Sequence, residues 1–175
     1  PRSTPSNSSA ASDVYKRQLY KTANARTSFI CESLLGYTAQ DGKQYDKIAL
    51  VLVLRGADNK AQQTVRYFLD VPTAKVLAHD LFAGELRDEF KEYKQHNGKQ
   101  RALSIKQHEN VYRVSIMNSN GGEDKHSLYF DITAWQAREL AISVLDHIKH
   151  YELARLMVLH LNKDGDNGHT QRTRI

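Results

Sequence analysis

The residues best suited to chemistry in this chain sit on the outward side of segments that alternate polar with apolar residues. In "RALSIKQ", "VYRVSIM" and "HSLYFDI", Leu103, Ile105, Val114, Ile116, Leu128, Phe130 and Ile132 form one apolar set. A period of two then sends Ser104, Lys106, Arg113, Ser115, Ser127 and Tyr129 to the opposite face. Lys47, Arg55, Arg66 and Phe68 follow by the same reasoning in the first half, and Arg101 adds a further cation. The chemistry this palette offers is nucleic-acid contact: cations follow phosphates, hydroxyls bond phosphate or base edges, and aromatic rings stack unpaired bases. Phe68 stands out, because Tyr67 and Leu69 already supply a core face and an exposed Phe on a basic sheet needs a partner. The plain alternative is a solvated sheet face, where Lys, Arg, Ser and Tyr are ordinary residents. Tyr45, Tyr93 and Tyr112 read as packing residues.

Catalysis finds no footing. His147 and His150 in "HIKH" lie three apart on a helix and offer two metal ligands, but no third has useful spacing, so a solvated helix face is expected. His79 and Asp80 read as helix surface, and Cys31 as a small core residue. The glycines of "LRGADNK" and "NSNGG" fit hairpin turns and match no phosphate-cradling loop. "NKDGDNG" at 162–168 echoes a calcium loop without its closing Glu. The expectations are no enzyme, no cofactor, no metal and no small-molecule substrate.

The elements that must position these residues come in two similar series. "FICESLLGYT", "DKIALVLVLR" and "QTVRYFLDV" read as strands separated by turn chemistry, and "PTAKVLAHDLF" as a helix opened by Pro72 and stopped by Gly84. The three strands from Arg101 to Ile132 follow, then a helix from Thr133 to about Leu161 carrying Ala137, Leu140, Ala141, Val144 and Ile148 at i, i+3, i+4 spacing. Superposing "AKVLA" at 74–78 on "ARELA" at 137–141 aligns the halves. "ELRDEFKEYKQHNGKQ" between them holds either a fourth strand around Phe90 to Tyr93 or a linker.

The expected fold class is therefore α+β, two repeated units of antiparallel β-meander, three or four strands each, followed by a helix. The units span 29–98 and 99–161, with a disordered or artefactual segment at 1–28 and a disordered tail at 162–175. Residues 1–18 are rich in Ser, Pro and Asn, and "AASDVYKRQ" at 10–18 resembles translated sequencing-adapter sequence.

Net charge is +5. The termini carry all of it, leaving 29–161 neutral, so the basic balance alone does not argue for nucleic acid. Within that core, segments 43–67 and 99–126 hold ten Lys/Arg and five Asp/Glu. Strands are basic and helices acidic. One cysteine excludes an internal disulfide and favours reducing cytoplasm; no apolar run approaches the roughly 18 residues of a membrane span.

Two patches carry a family resemblance. "SLYFDITAWQARELAISVLDHI" resembles the end of the single-stranded nucleic-acid-binding unit shared by positive cofactor four (the p15 coactivator), the Whirly proteins and the Pur-alpha repeats, with Asp131 and Trp135 at the spacing of the coactivator's Asn-x-x-x-Trp helix opening. "RYFLDV" at 66–71 is similar to the strand end of a Pur repeat. The resemblance implies a four-stranded unit whose outer sheet face binds unpaired DNA or RNA with little sequence preference, and pairing of units or chains through the helices. The long second helix, with Leu145, Ile148, Leu153, Leu156, Met157 and Leu159, has more apolar surface than one sheet need cover, so a homodimer through it is expected. The competing expectation is a protein-interaction subunit of a larger nucleoprotein complex that hardly touches nucleic acid.

Overall fold

The structure is a computed structural model that describes residues 17–38, 42, 44–86, 88–120 and 125–167. It is an α+β fold built from antiparallel sheets and a C-terminal helix. The first sheet has the order β1 (Arg17–Ala23), β2 (Thr27–Ser33), β5 (Lys47–Arg55), β6 (Ala61–Asp70). A two-stranded hairpin of β3 (Tyr37–Thr38) and β4 (Gln44–Tyr45) interrupts it between β2 and β5. Helix α1 (Val71–Ala83) closes the first series. The second sheet runs β7 (Glu89–His96), β8 (Lys99–His108), β9 (Val111–Ser119), β10 (Lys125–Thr133), and α2 (Ala134–Asn167) follows.

The alternation in the sequence is what the strands use. On β6, Val65, Tyr67 and Leu69 are buried while Arg66, Phe68 and Asp70 face the other way. Leu103, Ile105, Tyr112, Val114, Ile116, Phe130 and Ile132 form the inner face of the second sheet, and Ala137, Leu140, Ala141, Val144 and Ile148 meet it from α2. β5 is apolar without alternation because both its faces are covered: Ile48, Leu50 and Leu52 enter the main core, and Ala49 and Val51 enter a smaller cluster on the opposite side.

Helix ends follow local chemistry. Thr133 and Gln136 form a capping box, each bonding the other's backbone N–H, at 3.2 and 2.9 Å. Asp70 occupies the N-cap position of α1, yet its carboxylate accepts bonds from Lys47 and Lys94 instead of capping, and Pro72 opens the first turn. Gly84, at φ 71°, ends α1 with its N–H donated to the Asp80 carbonyl.

The two series share one interior. Phe29 of the first sheet stacks on Phe130 of the second, centroids 6.2 Å apart and planes 24° from parallel, inside one continuous core. Past that core α2 is pinned by Asp46, which accepts bonds from the Tyr151 hydroxyl and the Gly36 N–H, both at 2.9 Å, and by Glu152, paired with Lys75 of α1 at 2.6 Å. Beyond these anchors Leu153, Leu156, Met157, Val158 and Leu159 are exposed.

Three expected boundaries move. β1 lies inside the segment set aside at 1–28, so the first series begins at Arg17, and Arg17 and Gln18 are strand despite their adapter-like sequence. A bulge between Gln18 and Tyr20 breaks the two-residue period and lets both Leu19 and Tyr20 reach the core, which hides the strand from a pattern search. β7 resolves the ambiguous stretch as a strand of the second sheet, so that series begins at Glu89 and each sheet has four strands. At the far end α2 continues to Asn167, through the first part of the expected tail, because adding a turn to an existing helix costs little. The expectations for 1–16 and 168–175 lie outside the described residues. Among the described residues no helix is long and apolar enough to cross a membrane.

Candidate nucleic-acid interface

Pairing register lays out the outer face of the second sheet row by row from β7 to β10. One row is Tyr93, Ala102, Met117, Ser127; the next is Lys91, Ser104, Ser115, Tyr129; the third is Glu89, Lys106, Arg113, Asp131. Gln95, Gln100, Ser119 and Lys125 form a row at one end. The face thus carries four cations against two carboxylates, a band of serines, and two tyrosines that are 53% and 60% exposed. Tyr93 and Tyr129 stand on opposite edge strands. Three inter-strand steps and one two-residue step separate them, roughly 16 Å, which suits separate bases of one strand.

The electrostatics of the third row are local. Arg113 grips Asp131 with Nε and Nη2 at 2.8 and 2.9 Å, and its guanidinium lies 4.6 Å from the centroid of Tyr129. The bond from Arg113 holds the Asp131 carboxyl below the usual carboxylate range. At the other edge Ser104 donates to Glu89, which also lies 3.4 Å from Lys91, and the Ser104 bond lowers that carboxyl too. Lys106 is exposed between the two acids. Beside Tyr129 and Asp131 the sheet opens into a cleft of about 620 Å³, bounded across from them by Asn24, Arg26 and Leu54. Arg55 sits next to it at a bulge ending β5, its N–H donated to the Arg26 carbonyl at 2.7 Å.

The other predicted residues lie elsewhere. Lys47, Arg66 and Phe68 are on the outer face of the first sheet. There Lys47 and Lys94 clamp Asp70 and hold its carboxyl low, and Arg66 lies 3.6 Å from Glu32 with its Nε buried and unpartnered. Phe68 is half-buried, in contact with the small cluster around Ala49 and Val51, and the Arg101 guanidinium covers it at 5.4 Å. Arg101 shares parity with Leu103 and Ile105, so it leaves the second sheet on its inner side, past the end of the core, and meets the first sheet's outer side.

The eight predicted residues therefore do not make one continuous surface. Lys106, Arg113 and Tyr129 share the second sheet's outer face, with Arg55 near its margin, while Lys47, Arg66, Phe68 and Arg101 belong to a different region. Two further expectations are corrected. Tyr93 is exposed on the platform and not a packing residue; with Lys91 it was hidden because β7 carries charge on both faces. His147 is half-buried and not a free surface residue: its Nε2 lies 2.7 Å from the Ser33 Oγ, and partial burial, with Arg17 and His150 nearby, lowers its pKa. Among the described residues no three His, Cys, Asp or Glu side chains gather as a metal site.

No protein-family model matches the chain, and no curated protein matches it.

Proposed function

We propose that this protein binds single-stranded DNA or RNA, with little sequence preference and without catalysis, on the outer face of its second sheet. The observation that carries this reading is the set of rows in which Tyr93 and Tyr129 flank Lys91, Ser104, Ser115, Lys106 and Arg113 on one solvent-facing surface. Stacking there is indifferent to base identity, and the serines and cations serve the sugar-phosphate backbone. The order of elements, four antiparallel strands and then a helix, occurring twice, supports the resemblance to the Whirly, Pur-alpha and positive cofactor four group.

Fluorescence polarisation with a labelled 20-mer of mixed sequence tests it. Two engaged cations, Lys91 and Lys106, correspond to a salt slope of about −1.4, hence binding about sevenfold weaker at 200 than at 50 mM salt. Tyr93→Leu and Tyr129→Leu should each weaken binding about tenfold. Binding that is absent at 50 mM salt, or indifferent to both substitutions, overturns the reading.

Two chains pair, in this reading, through the part of α2 beyond Tyr151. Five large apolar side chains are exposed there on a helix that has left its core. The same surface favours the second reading, a subunit that docks on a protein partner through α2 and scarcely touches nucleic acid. The polarisation assay separates the two readings.

A further inference from the structure

The outer face of the first sheet is built differently from that of the second. Where the second shows serines and exposed cations, the first places Ile30, Ala49, Val51, Val53 and Phe68 together, with Leu34 and Tyr37 folded over them. The β3–β4 hairpin is the device. Nothing in a four-stranded meander requires it, and it brings Tyr37 and Tyr45 over the apolar patch, ring centroids 6.2 Å apart. The described residues of the hairpin do not seal the patch. A recess of about 400 Å³ remains between Leu34, Tyr37, Tyr45, Lys47 and Phe68. That is the size of a small-ligand pocket, and it is walled mainly by rings.

On its other side Phe68 borders a second recess, of about 210 Å³, formed with Lys94, His96, Lys99 and Arg101 at the tip of the β7–β8 hairpin. The cations divide into two kinds. Lys47 and Lys94 are committed to Asp70, and Lys94 also to Glu92 at 3.2 Å. Among the described residues no ion pair joins Lys99 or Arg101 to a carboxylate. Arg101 instead lies over the Phe68 ring, the arrangement in which a guanidinium keeps its donors for an anion. Phe68 is thus a partition one ring thick between an aromatic slot and a surplus of positive charge.

We infer that the groove on the two sides of Phe68 is a second nucleotide site, separate from the platform of the second sheet, which takes one unpaired base in the slot of Phe68, Tyr37 and Tyr45 and the adjoining phosphate on Arg101 and Lys99. An apolar side chain from a protein would fill the slot but leave the two cations unused, and an isolated phosphate would leave the slot empty. A nucleotide uses both. This rests on the single-strand reading above and extends it: the chain holds one strand at two places, stacking on an open face at one and inserting a base at the other.

Photo-crosslinking of the full chain to a 20-mer containing 4-thiouridine or 5-bromodeoxyuridine, followed by tryptic mapping, tests the two places separately. Cleavage after Arg66 and Lys75 isolates 67–75 with Phe68, and cleavage after Lys125 and Arg138 isolates 126–138 with Tyr129. The expected result is adducts on both peptides. Phe68→Leu, which keeps the apolar contact with Val51, should abolish the adduct on 67–75 and weaken binding about tenfold, while leaving the adduct on 126–138. Arg101→Gln should lower the salt slope by about 0.7. Adducts confined to 126–138, or an adduct on 67–75 indifferent to both substitutions, overturn the second site and leave the platform standing. An adduct on 67–75 alone supports the second site and removes the platform. Failure of the oligonucleotide to bind at all removes both.

Discussion

Asp131→Asn is expected to make the protein bind single strands more tightly, and the reason is the third row of the platform. Arg113 faces away from the core yet spends two of its donors on the Asp131 carboxylate, at 2.8 and 2.9 Å. In the unliganded protein that pair cancels a cation on the row where, in the proposed reading, a phosphate runs beside Tyr129. Asparagine keeps the size of the side chain and a carbonyl acceptor, removes the negative charge and releases Arg113. One additional phosphate contact steepens the salt slope by about 0.7, which at 0.1 M monovalent salt corresponds to about fivefold tighter binding. The fold should tolerate the change. Both partners are exposed and Thr133, not Asp131, caps α2, so the melting temperature should move by no more than about 3 °C. The assay is polarisation of a labelled 20-mer at four salt concentrations, wild type beside variant. An unchanged slope, or weaker binding with the melting temperature intact, refutes the placement of the backbone along this row.

Other consequences are equally open to measurement. Leu156→Glu with Met157→Glu should convert a dimer to a monomer in sedimentation at tens of micromolar without altering the circular dichroism of the sheets; a wild-type monomer at that concentration refutes pairing through α2. The half-buried His147 makes stability fall as pH drops, because the unfolded chain takes up its proton near pH 6.5 while the folded chain resists until a lower pH. Urea midpoints at pH 7.5 and 5.5 should differ in wild type and differ less in His147→Gln. Gly36→Ala should cost about 1 to 2 kcal/mol, because φ at this position is +72° and a Cβ would stand 3.3 Å from the Tyr151 ring that anchors α2; denaturant titration reads the loss, and no loss means that the anchor carries little energy.

How much of this was legible depends on where one physical signal spoke alone. β6, β8, β9 and β10 alternate cleanly because each has one core face and one other face, and their inward residues and the buried stripe of α2 could be read directly. β1 could not, since its bulge puts neighbouring Leu19 and Tyr20 on the same side. β7 could not, since an edge strand with Glu92 and Lys94 on its inner side looks like a linker. The β3–β4 hairpin is too short for any period, and the pairing of Ser33 with His147 and of Asp46 with Tyr151 joins residues more than a hundred positions apart. The split of the candidate surface was partly visible: Arg101 shares parity with Leu103 and Ile105, which already assigns it to the opposite side from Lys106. What alternation cannot supply is that the sheet outlasts the core at that point, so that an inward residue emerges into another region.

The stacked rings of Phe29 and Phe130 make the two series partners inside one polypeptide, and this sets the molecule apart from a symmetrical pair of identical subunits. In such a pair each substitution is written twice, and both exteriors must change together. Here one interior is held jointly while the exteriors are independent property, so one sheet could acquire an aromatic recess without disturbing the open, hydroxyl-rich counter on the other. Neither portion expressed alone should hold its shape, and the two mixed together should recover it.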